Sequence, residues 1–334
     1  MKFKILTVLL LLPLLSFADG KKTYQDNCEK CHGFSQQGFL GLPLHRSTIA
    51  NHTDDYLKKT IKYGRPGRVM PKFDLSDDQV NGLILFLRSG LSAPKYSDAP
   101  ITGNRGRGKY YYEISCAQCH GDKLQGGEGV GVYLYWQNDH NVSPPALANQ
   151  AFLHSASDQM IKHIILNGIE SSEMSSHANR LNDEMTNDIV AYIRSHERPM
   201  ADGQTPDDSP LSFVYESGEN MMNTINKLKQ GAAAYDFELY PSRHLIQNQD
   251  DRKQVIVRFF NADNVIDFVK IDQRLGLILP LRATIMERSD KKVVVVIENY
   301  AYTLKHFENE AMNKAANELN GQMKKIIEKS LGKI

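Results

Sequence analysis

The chain has 334 residues, with 40 Lys and Arg against 39 Asp and Glu for a formal charge of +1. That length exceeds one ordinary core and predicts two or three domains, while near-neutrality supplies no global field to hold nucleic acid or coat an anionic membrane. Hydrophobic residues at 41% and charged residues at 24% exclude wholesale disorder and a polytopic membrane protein.

At the N-terminus, Lys2 and Lys4 precede an apolar run from Ile5 to Leu15, and Ser16-Phe17-Ala18 offers small residues at a cleavage site before Asp19. Residues 1–18 therefore read as a secretory signal, which predicts a periplasmic protein. The run is shorter than the about 20 residues of a membrane span and Pro13 interrupts it, leaving an uncleaved anchor as the alternative. Export poses a question about the four cysteines, because an oxidising compartment favours disulfides unless another chemistry consumes the thiols.

The chain then repeats itself. Gly20, Tyr24 and Cys28 recur with the same spacing as Gly108, Tyr112 and Cys116, and each set continues as Cys-x-x-Cys-His-Gly: Cys28, Cys31, His32, Gly33 and Cys116, Cys119, His120, Gly121. Farther on, Gly64 and Met70 match Gly168 and Met174, and Leu75–Ser89 aligns with Leu181–Ser195, setting Phe86 over Tyr192 and Arg88 over Arg194. Asp54–Tyr63 has helical spacing with Gly64 as its stop, Ser76–Gln79 has the form of a capping box, and Asn182 is the matching cap in copy two. Each copy is thus a small helical lobe with long irregular loops, a kind of domain that needs a staple. The copies span 19–90 and 108–198, with Pro, Gly, Ser and Asp-rich linkers at 91–107 and 199–211.

Two thiols one helical turn apart, with an imidazole beside the second, are the spacing of c-type haem attachment. Thioether formation would consume all four cysteines and leave His32 and His120 as proximal iron ligands. Zinc is the alternative, but structural zinc joins pairs only about 15–20 residues apart, and a whole copy intervenes here. A thioredoxin-like redox pair lacks its βαβ setting.

On these motifs residues 19–198 resemble two class I cytochrome c domains in tandem, which implies two covalently attached haem c groups. The resemblance implies that Tyr24 and Tyr112 lie where the first helix of each domain crosses the last, near Phe86 and Tyr192. It implies a backbone carbonyl behind each proximal histidine, matched by Pro43 in copy one and by Pro144 or Pro145 in copy two; such a partner fixes the ring and tunes the iron. It also implies a methionine as sixth ligand. Val69-Met70-Pro71 resembles the family's ligand loop, which points to Met70. Met174 holds the equivalent offset, although Ser175 replaces the proline, the stretch to Leu181 is two residues longer, and His177 stands nearby as an alternative ligand. His45, His52, His140, His154, His163 and His196 read as exposed or locally satisfied. Gly126–Gly131 is a weak nucleotide-loop signal, and Trp136 with Tyr133 and Tyr135 sits in an expanded loop that could wall the second haem.

From Leu211 the pattern changes. Glu219–Lys229 reads as a helix, Lys253–Phe260, Gly276–Met286 and Lys291–Ile297 as strands with a turn at Ser289-Asp290, and His306–Leu331 as a helix with an apolar stripe weakened by Gly321. The apolar runs 255–261, 276–287 and 291–299 resemble the family known as domain of unknown function 302. Residues 212–334 are therefore expected to form an α+β domain, and the fold class is two all-α cytochrome c domains followed by that domain. The resemblance supplies no chemistry, only a compact fold and a homodimer contact.

The leading function is a periplasmic diheme cytochrome carrying single electrons between a redox protein donor and acceptor, matured by the cytochrome c maturation machinery. No catalytic residue is assigned. The alternatives are a diheme oxidoreductase acting on a small inorganic or sulfur compound, which needs an open coordination position, and a redox-linked sensor or assembly protein using its C-terminal domain.

Overall fold

The computed structural model describes residues 19–66, 68–126, 144–170, 172–199, 210–241, 246–247, 253–272, 275, 279–304 and 309–332. Segment 1–18, the 127–143 loop with Tyr133, Tyr135, Trp136 and His140, and the isolated His244 and His306 lie outside the described residues. The chain divides into two compact units, residues 1–66 with 70–208 and residues 67–69 with 209–334. Both Cys-x-x-Cys-His runs fall in the first.

In copy one, helix α1 (19–27) leads through a turn at Cys28 into α2 (Glu29–His32), followed by α3 (Arg46–Ala50), α4 (Asp54–Tyr63) and α5 (Asp77–Arg88). Copy two repeats the order as α6 (Arg105–Ser115), α7 (Ala117–His120), α8 (Gln150–Ser155), α9 (Asp158–Asn167) and α10 (Asp183–Arg194). Local chemistry sets these boundaries. Thr53 and Ser157 cap α4 and α9 by accepting from the amides of Tyr56 and Met160, satisfying donors that have no partner within the helix. Ser76 and Gln79 form the expected capping box, and Asn182 caps α10. Gly64 and Gly168 stop α4 and α9 at φ of +65° and +71°, where a side chain would be strained.

The first helix of each copy crosses the last at a glycine. A Cβ on Gly20 would stand 1.9 Å from the Gly82 carbonyl oxygen, and one on Gly108 would stand 1.9 Å from that of Asp188. At that distance only hydrogen fits. Above each crossing the aromatic pairs meet as expected, Tyr24 with Phe86 and Tyr112 with Tyr192, both at 5.4 Å between ring centroids.

Arg88 and Arg194, aligned by the repeat, turn out to be the same clamp. Arg88 donates from Nε to Asp54 Oδ1 (2.6 Å), from Nη1 to the Ile49 carbonyl (3.3 Å) and from Nη2 to the His52 carbonyl (2.6 Å). Arg194 repeats this on Asp158, Leu153 and Ala156. One planar fork thus satisfies carbonyls around the ends of α3 or α8 and ties them to the last helix, a geometry that a lysine cannot reproduce.

The second unit is an antiparallel sheet with helices, as expected. Its elements run β1 (Ser212–Ser217), α11 (Met221–Ala233), β2 (Glu238–Pro241), β3 (Ile246–Gln247), β4 (Lys253–Phe260), α12 (Ala262–Ile271), β5 (Leu281–Glu287), β6 (Val293–Glu298), α13 (Tyr300–Leu304) and α14 (Glu310–Ser330). The strand order is β1-β6-β5-β4-β2, with β3 also pairing β4. Alternation assigns the faces: Val255, Val257 and Phe259 of β4, Ala283 and Ile285 of β5, and Val293, Val295 and Ile297 of β6 share one core with Leu228 of α11 and Leu319, Met323 and Ile327 of α14. The β4 limits match the sequence reading. Strand β5 starts five residues later than Gly276, because Pro280 has no N–H to give a ladder. Helix α14 begins at the Asn309 cap. Helix α12 and strands β1, β2 and β3 were not anticipated.

Candidate functional site

The two Cys-x-x-Cys-His runs have matching surroundings built from local sequence. Each run makes a short helical turn ended by a glycine, Gly33 at φ +82° and Gly121 at φ +78°, whose carbonyl accepts the hydroxyl of Tyr24 (2.5 Å) or Tyr112 (2.8 Å). The chain then folds back so that Gly38 and Gly126 donate to the carbonyls of His32 and His120 at 2.9 and 2.8 Å. The tyrosine planted on the first helix therefore fixes the glycine that ends the Cys-x-x-Cys-His turn.

The imidazoles are aimed by backbone carbonyls. His32 Nδ1 lies 2.7 Å from the Leu42 oxygen, and His120 Nδ1 lies 3.0 Å from the Pro145 oxygen. A carbonyl only accepts, so each ring is the Nδ1–H tautomer and its Nε2 carries the lone pair that a metal takes. In copy two the carbonyl is that of Pro145 and not Pro144. In copy one it is that of Leu42, one residue before the expected Pro43. The backbone packs closely at this point: a Cβ on Gly41 would stand 2.6 Å from the His32 ring Cε1, and one on Gly38 would meet the Pro43 ring. Burial holds both imidazoles below the ordinary histidine range, opposed by the carbonyl bond, and in copy two His177 adds repulsion to His120.

None of the four cysteines is in a disulfide. Burial, with help from the neighbouring thiol, pushes Cys28 up to about 12 and Cys116 to about 11. Among the described residues no group of three or more His, Cys, Asp or Glu converges to hold a metal ion, and the two thiol pairs do not form a four-sulfur site. Paired thiols beside a neutral histidine with a free Nε2 fit covalent haem.

The methionine loops match in register. The Arg65 amide donates to the Met70 carbonyl at 2.9 Å, and the Ile169 amide donates to that of Met174 at 2.8 Å. Phe73 then donates to Ile61 (3.2 Å) exactly where His177 donates to Ile165 (3.1 Å); His177 thus occupies the place of Phe73, and the two extra residues of copy two come after it. Both methionines are half-buried. Of the isolated histidines, His52 is satisfied locally by the Thr48 carbonyl (2.7 Å), whereas His154 binds Glu197 through Nδ1 and leaves its buried Nε2 without a partner among the described residues. No described helix is long and apolar enough to cross a membrane.

The family model described as cytochrome c oxidase, cbb3-type, subunit III matches residues 16–87 and 103–193, and that described as domain of unknown function DUF302 matches residues 219–330. The chain is similar to the cbb3-type cytochrome c oxidase subunit CcoP of Azospirillum sp. (strain B510), 28% identical over 203 residues that cover 54% of this chain and 63% of that protein. It therefore spans less than two thirds of the length of such relatives. Among solved structures, a DUF302 protein from Bacillus stearothermophilus covers 36% of this chain and 99% of its own at 10% identity and a TM-score of 0.34. The Kuenenia stuttgartiensis reducing HAO-like protein complex Kustc0457/Kustc0458 covers 54% and 96% at 20% identity and a TM-score of 0.39.

Proposed function

We propose, for a chain that carries tandem cytochrome c domains ahead of a DUF302 domain, that it is an exported diheme cytochrome carrying single electrons between redox protein partners. Cytochrome c domains imply covalently bound haem c, which supplies one-electron exchange at its iron. Cys28 and Cys31 would hold one group and Cys116 and Cys119 the other; His32 and His120 would be the proximal ligands, and Met70 and Met174 the sixth. The observation that carries this reading is the duplicated cradle, in which a backbone carbonyl takes Nδ1–H and leaves Nε2 for iron beside two thiols.

The likeness to a cbb3-type oxidase subunit supports a place in a respiratory electron path with a redox donor and acceptor. The apolar run before Asp19 supports export to the periplasm, where the maturation machinery would attach both haems. Ile266 and Ile271, exposed on α12, support homodimerisation through the α+β domain.

Mass spectrometry of the mature protein tests this directly. The expected result is an N-terminus at Asp19 and one haem mass on each of the two peptides bearing paired thiols; peptides without added mass overturn the reading. Electron paramagnetic resonance of the oxidised protein is expected to give two low-spin His/Met signals. A second reading, an oxidoreductase with an exchangeable position in copy two, draws on Ser175 in place of Pro71 and on His177 in place of Phe73. Carbon monoxide binding to one reduced haem would favour it, and two inert haems favour the carrier.

A further inference from the structure

We infer that Asn149 is a positioning residue that couples the two haem sites, a role that rests on the diheme reading above. Its side chain works at both ends. Oδ1 accepts from the Phe152 amide at 3.2 Å and caps α8, while Nδ2 donates to the Pro66 carbonyl at 2.7 Å. Pro66 lies in the methionine loop of copy one, next to Arg65, whose amide holds the Met70 carbonyl at 2.9 Å.

On its other side Asn149 closes the short segment that begins at Pro145, the residue whose carbonyl holds His120 at 3.0 Å. That segment is braced, with Ala148 donating to the Leu124 carbonyl (3.1 Å) and Asn149 to that of Ala146 (3.2 Å). One side-chain hydrogen bond therefore joins the loop of the proposed sixth ligand in copy one to the loop that orients the proximal histidine in copy two. A parallel line of contacts closes the circuit. Arg65 Nη2 reaches Tyr56 Oη (3.1 Å) and Thr60 Oγ1 (2.6 Å), and the Tyr56 ring stands edge-on to Phe152 at 6.4 Å; Phe152 returns to Asn149 through its amide.

The link is made by one copy only. His45, which holds the matching cap position before α3, makes no side-chain cap bond, whereas Asn149 caps its helix and crosses to the other copy. A carbonyl that accepts from a ligating histidine sets the orientation and basicity of the ring, so displacement of the Met70 loop reaches His120 through Pro66, Asn149 and Pro145. Any such coupling is reciprocal in free energy.

The experiment uses the full holoprotein and a double-mutant cycle. Met70→Ala disturbs the first site, and its effect on the second is read as the midpoint potential of the second haem and the hyperfine-shifted resonances of the His120 ring. Asn149→Ser and Asn149→Asp both keep a capping oxygen for α8, but the ionised Asp has no proton to give Pro66 and the Ser hydroxyl, one bond shorter than the amide, stands short of it. The expected result is a shift at the second haem in the wild-type background that falls by roughly half or more in both Asn149 backgrounds, as for directly coupled positions. An equal shift in all backgrounds, or no shift in the wild type, overturns the coupling. Loss of the diheme reading is distinguishable, because the unsubstituted protein would then lack two haem masses before any variant was made.

Discussion

His52 shows how a residue outside the Cys-x-x-Cys-His run shapes the first helical copy. Its ring stacks on Tyr56 at 4.6 Å with 16° between planes and donates from Nδ1 to the Thr48 carbonyl. Burial, the largest influence, depresses it to about 4, and Arg65 and Arg88 add repulsion against the favourable carbonyl bond. The unfolded chain has the ordinary value of about 6.5. Above that pH neither state is protonated at this ring, and stability is unaffected by it. As pH falls from 6.5 toward 4 the unfolded chain takes up a proton that the folded ring refuses, and stability drops by between about 1 and 3 kcal/mol. His52→Phe keeps a ring against Tyr56 and removes the titration. Denaturant unfolding at pH 7 and pH 4.5 should show a smaller acid loss in the variant, and the same loss in both proteins sinks this account.

At the scale of elements, the glycine crossings decide how closely the first and last helices of each copy approach. Alanine favours an isolated helix over glycine by about 1 kcal/mol, so propensity alone predicts that Gly108→Ala stabilises α6. The structure predicts the reverse. The new Cβ would meet the Asp188 carbonyl oxygen at 1.9 Å, a backbone atom that cannot swing aside, and overpacking of this kind costs about 1–3 kcal/mol. Gly106→Ala, in the same helix, meets only the Asn104 side-chain oxygen at 3.3 Å and is expected to be near neutral. Thermal melts of the two variants measure the difference directly; equal melting temperatures would remove the crossing from the explanation. Spacing showed that Gly20 and Gly108 correspond, but the carbonyls opposite them, on helices some 60 to 80 residues later in sequence, became visible only in three dimensions.

At the scale of the molecule, the two units have separate cores, one built on the sheet face toward α11 and α14 and the others within the two helical copies. If the α+β domain pairs two copies, sedimentation should give a dimer for the full chain and a monomer for residues 19–198; the same oligomeric state for both would defeat that contact. The Cys-x-x-Cys-His runs, caps and glycine stops act over a few residues, which is why the duplicated runs at Cys28 and Cys116, the span of α4 and the box at Ser76 were legible in sequence. The mixed apolar run of α12 hid a helix behind the Asn261 cap, and β1 and β2 declare themselves only through pairing with β6 and β4. Sequence by itself determined the repeat and the α+β class of the last domain. Tertiary structure decided that Leu42 and Pro145 hold the histidines, that Arg88 and Arg194 clamp carbonyls around α3 and α8, and that Asn149 reaches Pro66 across 83 residues. Those choices depend on how packed helices bring distant backbone oxygens within hydrogen-bond reach, which no local pattern encodes.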